Sequence, residues 1–315
     1  MPAASGQNVV VGTGPLGLSV LEVLDARGLP ARAVNRTGVA QGVPEGIETV
    51  SGDVSDPEEA ARLFEGAPVV YQCAAPPYGL WKDAFLPLVE GVLEGAEAAG
   101  AHLVFGDNLY MYGPAEGPIT EALPYRAQGP KGRVRAEGAE RLLDAHERGR
   151  CRVSIARGSD FYGPGVTRSW VGERLFLPVI RGQAVRPLRG ADEPHSFTYI
   201  KDFAQTLVAL GTREETAGEV WHVPNAPAVT LREFVAIAAE AAETEADVKP
   251  APRFLGWLMG LLNRDVRELR EVFYQWDEPF VVDDSKTRNN LGLEHTPLKE
   301  GVEATVRWYR EDYIR

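Results

Sequence analysis

The sequence predicts a doubly wound α/β protein, a parallel sheet with crossover helices followed by a smaller mixed α/β C-terminal region. Three observations carry this reading. From Asn8 to about Ala156, short β-branched apolar runs alternate with longer segments of helical period. The first run, Val9-Val10-Val11, leads directly into a glycine-rich turn and then a helical pattern. After Arg157 the alternation breaks, because Gly163-Pro164-Gly165, Pro178, Pro187 and Pro194 interrupt any long element.

Taken in order, the strands are expected at Asn8–Val11, Ala31–Asn35, Glu48–Val50, Val69–Cys73, His102–Phe105 and Arg152–Ala156. Helical periodicity fills the intervals at Leu16–Arg27, Pro57–Phe64, Ala84–Ala99 and Gly132–Arg148, each closing near glycine or a polar turn. Beyond them the pattern reads as a helix at Ser169–Ile180, a strand at Phe197–Ile200, a helix at Phe203–Leu210, a strand at Val220–Val223 and a helix at Leu231–Glu243. The expected division is 1–165 for the sheet domain, with its sheet completed by segments near 195–225, and 166–315 for a smaller substrate-binding lid.

Composition narrows the function classes. The 33 basic residues against 45 acidic ones, net charge −12, argue against a nucleic-acid or anionic-membrane partner. No apolar run reaches the ~18 residues of a membrane helix, and the first residues lack the basic-then-apolar order of a signal peptide. The two cysteines, Cys73 and Cys151, each sit beside a buried-strand pattern, so a reducing cytoplasm is the expected compartment.

The turn Gly12-Thr13-Gly14-Pro15-Leu16-Gly17 stands between a strand and a helix, as a dinucleotide-binding (Rossmann) fingerprint requires. Gly12 permits the tight turn, Gly14 lets backbone approach the pyrophosphate, Gly17 lets the helix pack on the strand, and the helix start offers N–H groups to phosphate. At the second strand's end, where NAD-specific sites carry Asp or Glu, the chain reads Asn35-Arg36. An arginine there can pair with a 2′-phosphate, so NADP is expected over NAD. Asp53 and Val54 close the third strand, the carboxylate facing the adenine amino group or capping the turn with Ser55 and Asp56. Cys73, Ala74 and Ala75 close the fourth with small side chains. Cys73 reads as a packed thiol.

These residues, with Tyr112-Gly113 after the fifth strand, Arg157-Gly158-Ser159-Asp160-Phe161-Tyr162-Gly163-Pro164 after the sixth and Tyr199-Ile200-Lys201-Asp202-Phe203-Ala204 later, resemble the extended short-chain dehydrogenase/reductase superfamily, specifically its NAD-dependent epimerase/dehydratase group. The tail from Leu291-Gly292-Leu293 through Thr296-Pro297-Leu298-Lys299-Glu300-Gly301 is similar too. The resemblance implies a nicotinamide cofactor, with Ser159, Phe161 and Lys131 joining the residues above in its site. It also implies a serine or threonine after the fifth strand, and a Tyr-x-x-x-Lys pair in which tyrosine is the acid/base and lysine tunes it and holds the ribose.

This chain departs from that pattern at all three places. The stretch Pro130-Lys131-Gly132-Arg133-Val134-Arg135-Ala136-Glu137 puts Lys131 where the tyrosine stands and Arg135 where the lysine stands, and the serine position falls on Asn108. Two readings follow. In one the chain is an NADP-binding oxidoreductase or epimerase-like enzyme for a small carbonyl or hydroxyl compound, in which Asn108 polarises a carbonyl, Lys131 is the acid and Arg135 binds ribose or phosphate. In that reading Tyr78, Tyr110 or Tyr162 is an alternative source of a phenol. In the other the domain is a catalytically silent dinucleotide sensor, as in nitrogen-metabolite regulators of the same superfamily. Either way the expected partner is a small molecule, in a monomer or homodimer.

The histidines, His102, His146, His195, His222 and His295, show no metal spacing, and no metal is expected. His195 precedes a strand expected to border the substrate cleft, whereas His222 reads as a satisfied strand residue. Trp81, Trp170, Trp257, Trp276 and Phe280 are candidates for an apolar pocket or for core, and Arg168 and Arg174 for an anionic group. The apolar stretch from Phe254 to Leu262 is a candidate dimer or lid helix.

Overall fold

The computed structural model describes residues 6–250 and 270–314. Trp257 and the apolar stretch 254–262 lie outside the described residues. The elements follow the apolar pattern: β1 Asn8–Val11, α1 Pro15–Ala26, β2 Ala31–Asn35, β3 Thr49–Ser51, α2 Pro57–Phe64, β4 Val69–Gln72, α3 Trp81–Ala99, β5 His102–Asp107, α4 Pro130–Glu147 and β6 Arg152–Arg157. There follow β7 Asp160–Tyr162, α5 Glu173–Ile180, β8 Phe197–Tyr199, α6 Ile200–Gly211, β9 Val220–His222 and α7 Leu231–Ala241.

The main sheet has the order β3-β2-β1-β4-β5-β6-β9. Strands β1 to β6 pair in parallel, with β1 between β2 and β4, so the order reverses beside β1 and the topological switch point lies at the carboxyl ends of β1 and β4. Both faces are covered by helices, and β1 and β4 are accordingly buried at every position. Helix boundaries have local causes. Asp56 accepts from the Glu58 and Glu59 backbone N–H groups and Pro57 opens the first turn of α2, while Gly100, in the left-handed region, closes α3.

Two compact units make up the chain. The first comprises 1–111, 130–157 and 203–221, and the second 112–129, 158–202 and 222–315. The first contains the main sheet. The second contains the short parallel pair β7-β8 and a core of its own, built on Tyr162, Phe176, Phe197, Phe234, Trp276 and Tyr309. A capping box between Thr230 and Glu233 starts α7 over that core. The late strand β9 reaches the main sheet by hydrogen bonds beside β6, from Gly218 N–H to Val153 O at 2.7 Å and from Ile155 N–H to Glu219 O at 3.1 Å.

Candidate active site

The glycine turn is built by close approach. A Cβ on Gly17 would lie 1.8 Å from Gly12 O, and one on Gly12, whose φ is +93°, would lie 2.9 Å from Ala74. Gly14 differs: nothing stands within 4 Å of its Cβ direction, and it is exposed. Helix α1 starts at that point with Gly14 as N-cap, no capping side chain and no acidic residue in its first turn. An open backbone face next to uncapped N–H groups is the environment a pyrophosphate needs, so the residues fit a dinucleotide.

At the end of β2 the Asn35 side chain organises the neighbouring loop. Its Nδ2 donates to Thr13 Oγ1 at 2.8 Å and to Val39 O at 3.0 Å, while its Oδ1 accepts from the N–H groups of Thr37 and Gly38. That Asn35 ties this loop to the glycine turn has no signal in the local sequence. Arg36 is exposed beside it. Asp53 is also exposed and accepts from Ser55 Oγ at 2.6 Å and from Ser55 N–H at 3.0 Å. Those two bonds, with the Arg36 charge, hold its carboxyl below the usual range. Val54 is buried, and Ala75 at the end of β4 is exposed. Cys73 is half-buried, and desolvation pushes its thiol upward, away from nucleophile chemistry. Gly12 to Gly17, Asn35, Arg36, Asp53, Val54, Cys73, Ala74 and Ala75 thus all stand at the carboxyl ends of β1 to β4.

In the first unit Asn108 and Arg135 meet at Asp107, and Lys131 stands four residues before Arg135 on α4. Asp107 ends β5, 5% exposed, and its Oδ1 accepts from Arg135 Nη1 at 2.8 Å and from the Asn108 backbone N–H at 2.9 Å. Its Oδ2 lies 3.7 Å from Arg157 Nε. The Arg135 guanidinium is clamped between Trp81 and Phe85, 4.1 and 4.2 Å from their ring centroids. Burial pulls its pKa down and Asp107 opposes that, so an always-charged group sits inside with its counter-ion. One helical turn earlier on α4, the Lys131 ammonium lies 4.3 Å over the Tyr78 ring, and the residue is 5% exposed. Asn108 Oδ1 accepts from Tyr110 N–H at 3.0 Å, and Tyr110 packs on Trp81.

The remaining candidates lie in the second unit. Ser159 donates its backbone N–H to Thr198 Oγ1 at 2.8 Å and its own Oγ is buried, while Phe161 is half-buried in β7. Tyr162 is packed in the core at 1% exposure, and burial drives its phenol far upward, which removes it as a source of protons. His195 does not border open space: it is 1% exposed, stacked on Trp276, with Nδ1 3.0 Å from Gln275 O and Nε2 3.1 Å from Asp160 Oδ2. His222 is satisfied by Tyr112 Oη and Asp283 O, each at 3.0 Å. Trp276 and Phe280 belong to the core, and Arg168 and Arg174 are exposed. Among the described residues no cluster of His, Cys, Asp and Glu could hold a metal ion, and no helix is long and apolar enough to cross a membrane.

The chain is similar to 3beta-hydroxysteroid-dehydrogenase/decarboxylase isoform 2 of Arabidopsis thaliana, 21% identical over 304 residues that cover 82% of this chain and 51% of the plant protein. It therefore spans about half the length of that relative. Among solved structures it is similar to an epimerase of Methanothermobacter thermautotrophicus, with a TM-score of 0.81 and 23% identity over 99% of this chain and 94% of that one. It is also similar to the UDP-glucose 4-epimerase of Thermus thermophilus in complex with NAD, with a TM-score of 0.77 and 22% identity over 97% of this chain and 99% of that one. The model of the NAD dependent epimerase/dehydratase family matches residues 9–223, more than half of the sequence. The chain belongs to the NAD-dependent epimerase/dehydratase family.

Proposed function

We propose that the protein is a nicotinamide-dinucleotide-dependent oxidoreductase or epimerase-like enzyme acting on a small carbonyl or hydroxyl compound. The observation that carries this is the open Gly14 face beside the uncapped start of α1, in the same unit as the polar cluster of Asn108, Lys131 and Arg135. A nicotinamide dinucleotide held at the Gly12–Gly17 turn would supply or accept hydride. The protein's part is to hold the substrate oxygen and move or balance its proton. Asn108 orients that oxygen, and Lys131 donates to it as acid. Arg135, its charge balanced by Asp107, supports the ribose side. The names of the relatives support the substrate class, since a hydroxysteroid dehydrogenase/decarboxylase and a UDP-glucose 4-epimerase both act at a hydroxyl-bearing carbon.

NADP is the proposed cofactor, because Arg36 is exposed at the end of β2 while the Asn35 side chain turns back to Thr13. Titration calorimetry tests it. Arg36→Ala lowers NADP affinity about tenfold or more and leaves NAD affinity unchanged, in line with loss of a charge-assisted phosphate contact. Equal losses for both cofactors reject the assignment.

The enzymatic reading is tested by following reduced nicotinamide absorbance across aldehydes, ketones and nucleotide sugars. Turnover with at least one class is expected. One observation favours a second reading, a silent dinucleotide sensor: Arg135 is committed to Asp107 and to two aromatic faces. Tight cofactor binding without turnover on any substrate selects that reading.

A further inference from the structure

We propose that Tyr78 is a positioning residue for Lys131, its ring face holding the ammonium in place at the site. The inference rests on the reading above that Lys131 serves the chemistry of this site. It starts from a spacing. Tyr78, Trp81 and Phe85 stand three and four residues apart along one stretch, a 3-10 turn at Tyr78–Leu80 running into α3. Lys131 and Arg135 stand four apart on α4. The two ladders meet rung by rung, with Tyr78 under Lys131 at 4.3 Å and Trp81 and Phe85 around Arg135 at 4.1 and 4.2 Å.

The aromatic ladder is itself braced. Trp81 Nε1 donates to Pro76 O at 2.9 Å, and the Tyr78 and Trp81 rings lie 5.0 Å apart. Gly138 of α4 leaves room for Phe85, since a Cβ there would lie 2.9 Å from Phe85 Cε1. A flexible ammonium held over a ring face on such a base loses freedom at one defined place. Charged or titratable groups near this contact include Arg135 on α4, with Asp107 behind it, and Tyr110 from the turn after β5, while Lys82 and Asp83 on the Tyr78 stretch are exposed.

The test separates ring from hydroxyl. Ligand-free protein is pulse-labelled with acetic anhydride over a range of pH, and acetylation of Lys131 is read by peptide mass spectrometry. Tyr78→Leu is expected to raise Lys131 labelling about tenfold at a given pH, whereas Tyr78→Phe, which keeps the ring, labels like wild type. Far-ultraviolet circular dichroism verifies that each variant is folded. If Tyr78→Leu is misfolded, Tyr78→Met at the same position is the second variant, with the same expected rise. The proposal is overturned if the ring-less variants label Lys131 at the wild-type rate, or if Tyr78→Phe labels like Tyr78→Leu, which would assign the hold to the hydroxyl. Because this readout needs neither cofactor nor substrate, a failed turnover screen rejects the enzymatic reading and leaves the Tyr78 result to stand by itself. Where turnover is found, Tyr78→Leu lowers kcat and shifts its pH profile, and Tyr78→Phe restores both.

Discussion

Arg135 and Asp107 form a buried ion pair, Nη1 to Oδ1 at 2.8 Å, with both side chains nearly closed to solvent. Asp107 also faces Arg157, so one carboxylate serves two guanidinium groups. Removing its charge takes the counter-ion from the buried Arg135 guanidinium. Asp107→Asn is expected to destabilise the protein by about 3–5 kcal/mol. Urea unfolding checks this as a lowered midpoint at unchanged slope. A loss below about 1 kcal/mol, the scale of a surface pair, would show that the two arginines find other compensation.

Gly14 and Gly17 separate folding from binding. Gly17→Ala drives a methyl into Gly12 O, so the turn must shift, and both thermal stability and dinucleotide affinity fall. Gly14→Ala meets no atom within 4 Å and its φ of −76° suits any residue. Its melting temperature therefore stays near wild type, while the added methyl on the pyrophosphate side lowers affinity about tenfold or more by obstructing the close backbone approach. Equal affinity for wild type and Gly14→Ala would move the pyrophosphate elsewhere.

Asn35→Ala acts on both cofactors. It removes the bond to Thr13 and the anchor of the 36–39 loop. With each such bond worth about 1 kcal/mol, NAD and NADP affinities are expected to fall together by roughly fivefold. This is the opposite of the selective loss predicted for Arg36→Ala. Calorimetry with both cofactors on both variants distinguishes the two roles.

His102 sets an acid limit. It is buried in β5 with Nε2 2.9 Å from Ser154 Oγ, and desolvation, helped by Arg152 and His146, pushes its pKa down to about 4. The unfolded chain takes up this proton near pH 6.5 and the folded protein only near 4. The stabilisation is complete above about pH 6.5 and is lost as the pH falls through that window, at about 1.4 kcal/mol per unit at most. Unfolding free energies measured at steps from pH 7 to pH 4 are expected to follow this slope, and His102→Gln flattens it. An unchanged slope in that variant would assign the acid sensitivity to other groups.

The cofactor half is legible in the sequence because its signals are local. Val9-Val10-Val11 and the glycine turn specify β1 and α1 within a dozen residues, and the structure places both within one residue of the expected bounds. Where partners are distant the bounds differ. β3 runs from Thr49 rather than Glu48, because its register is set by pairing Ala33 with Thr49. α5 begins at Glu173 rather than Ser169, since Gly172 N–H closes a turn back to Ser169 O first. α6 begins at Ile200, directly after β8, one residue inside the span that reads as strand.

The altered end of the site is harder to read for the same reason. Asn108, Lys131 and Arg135 stand out as substitutions against a familiar pattern, whereas Asp107 carries no signal until Arg135 and Arg157 arrive from 28 and 50 residues later to face it. In the sequence Tyr78 reads as an alternative phenol, Trp81 as a pocket or core residue ahead of the expected helix and Phe85 as part of that helix, and only the α3–α4 packing turns them toward the two cations. His195 misleads for the converse reason. A polar residue ahead of a strand looks accessible, yet Asp160 and the Gln275 carbonyl satisfy it inside the core.

The late arrival of β9 bears on how the protein is made. When synthesis has reached Arg157, β6 has its inner neighbour β5, but the bonds that Val153 and Ile155 make with Gly218 and Glu219 await a further sixty-odd residues. Until then an apolar strand presents a bare edge, the kind of surface on which nascent chains pair with one another. The same edge is left open for good in any product truncated between β6 and β9. Aggregation of such fragments, rather than loss of the cofactor turn at the far end of the unit, is the hazard that this order of assembly builds into biogenesis.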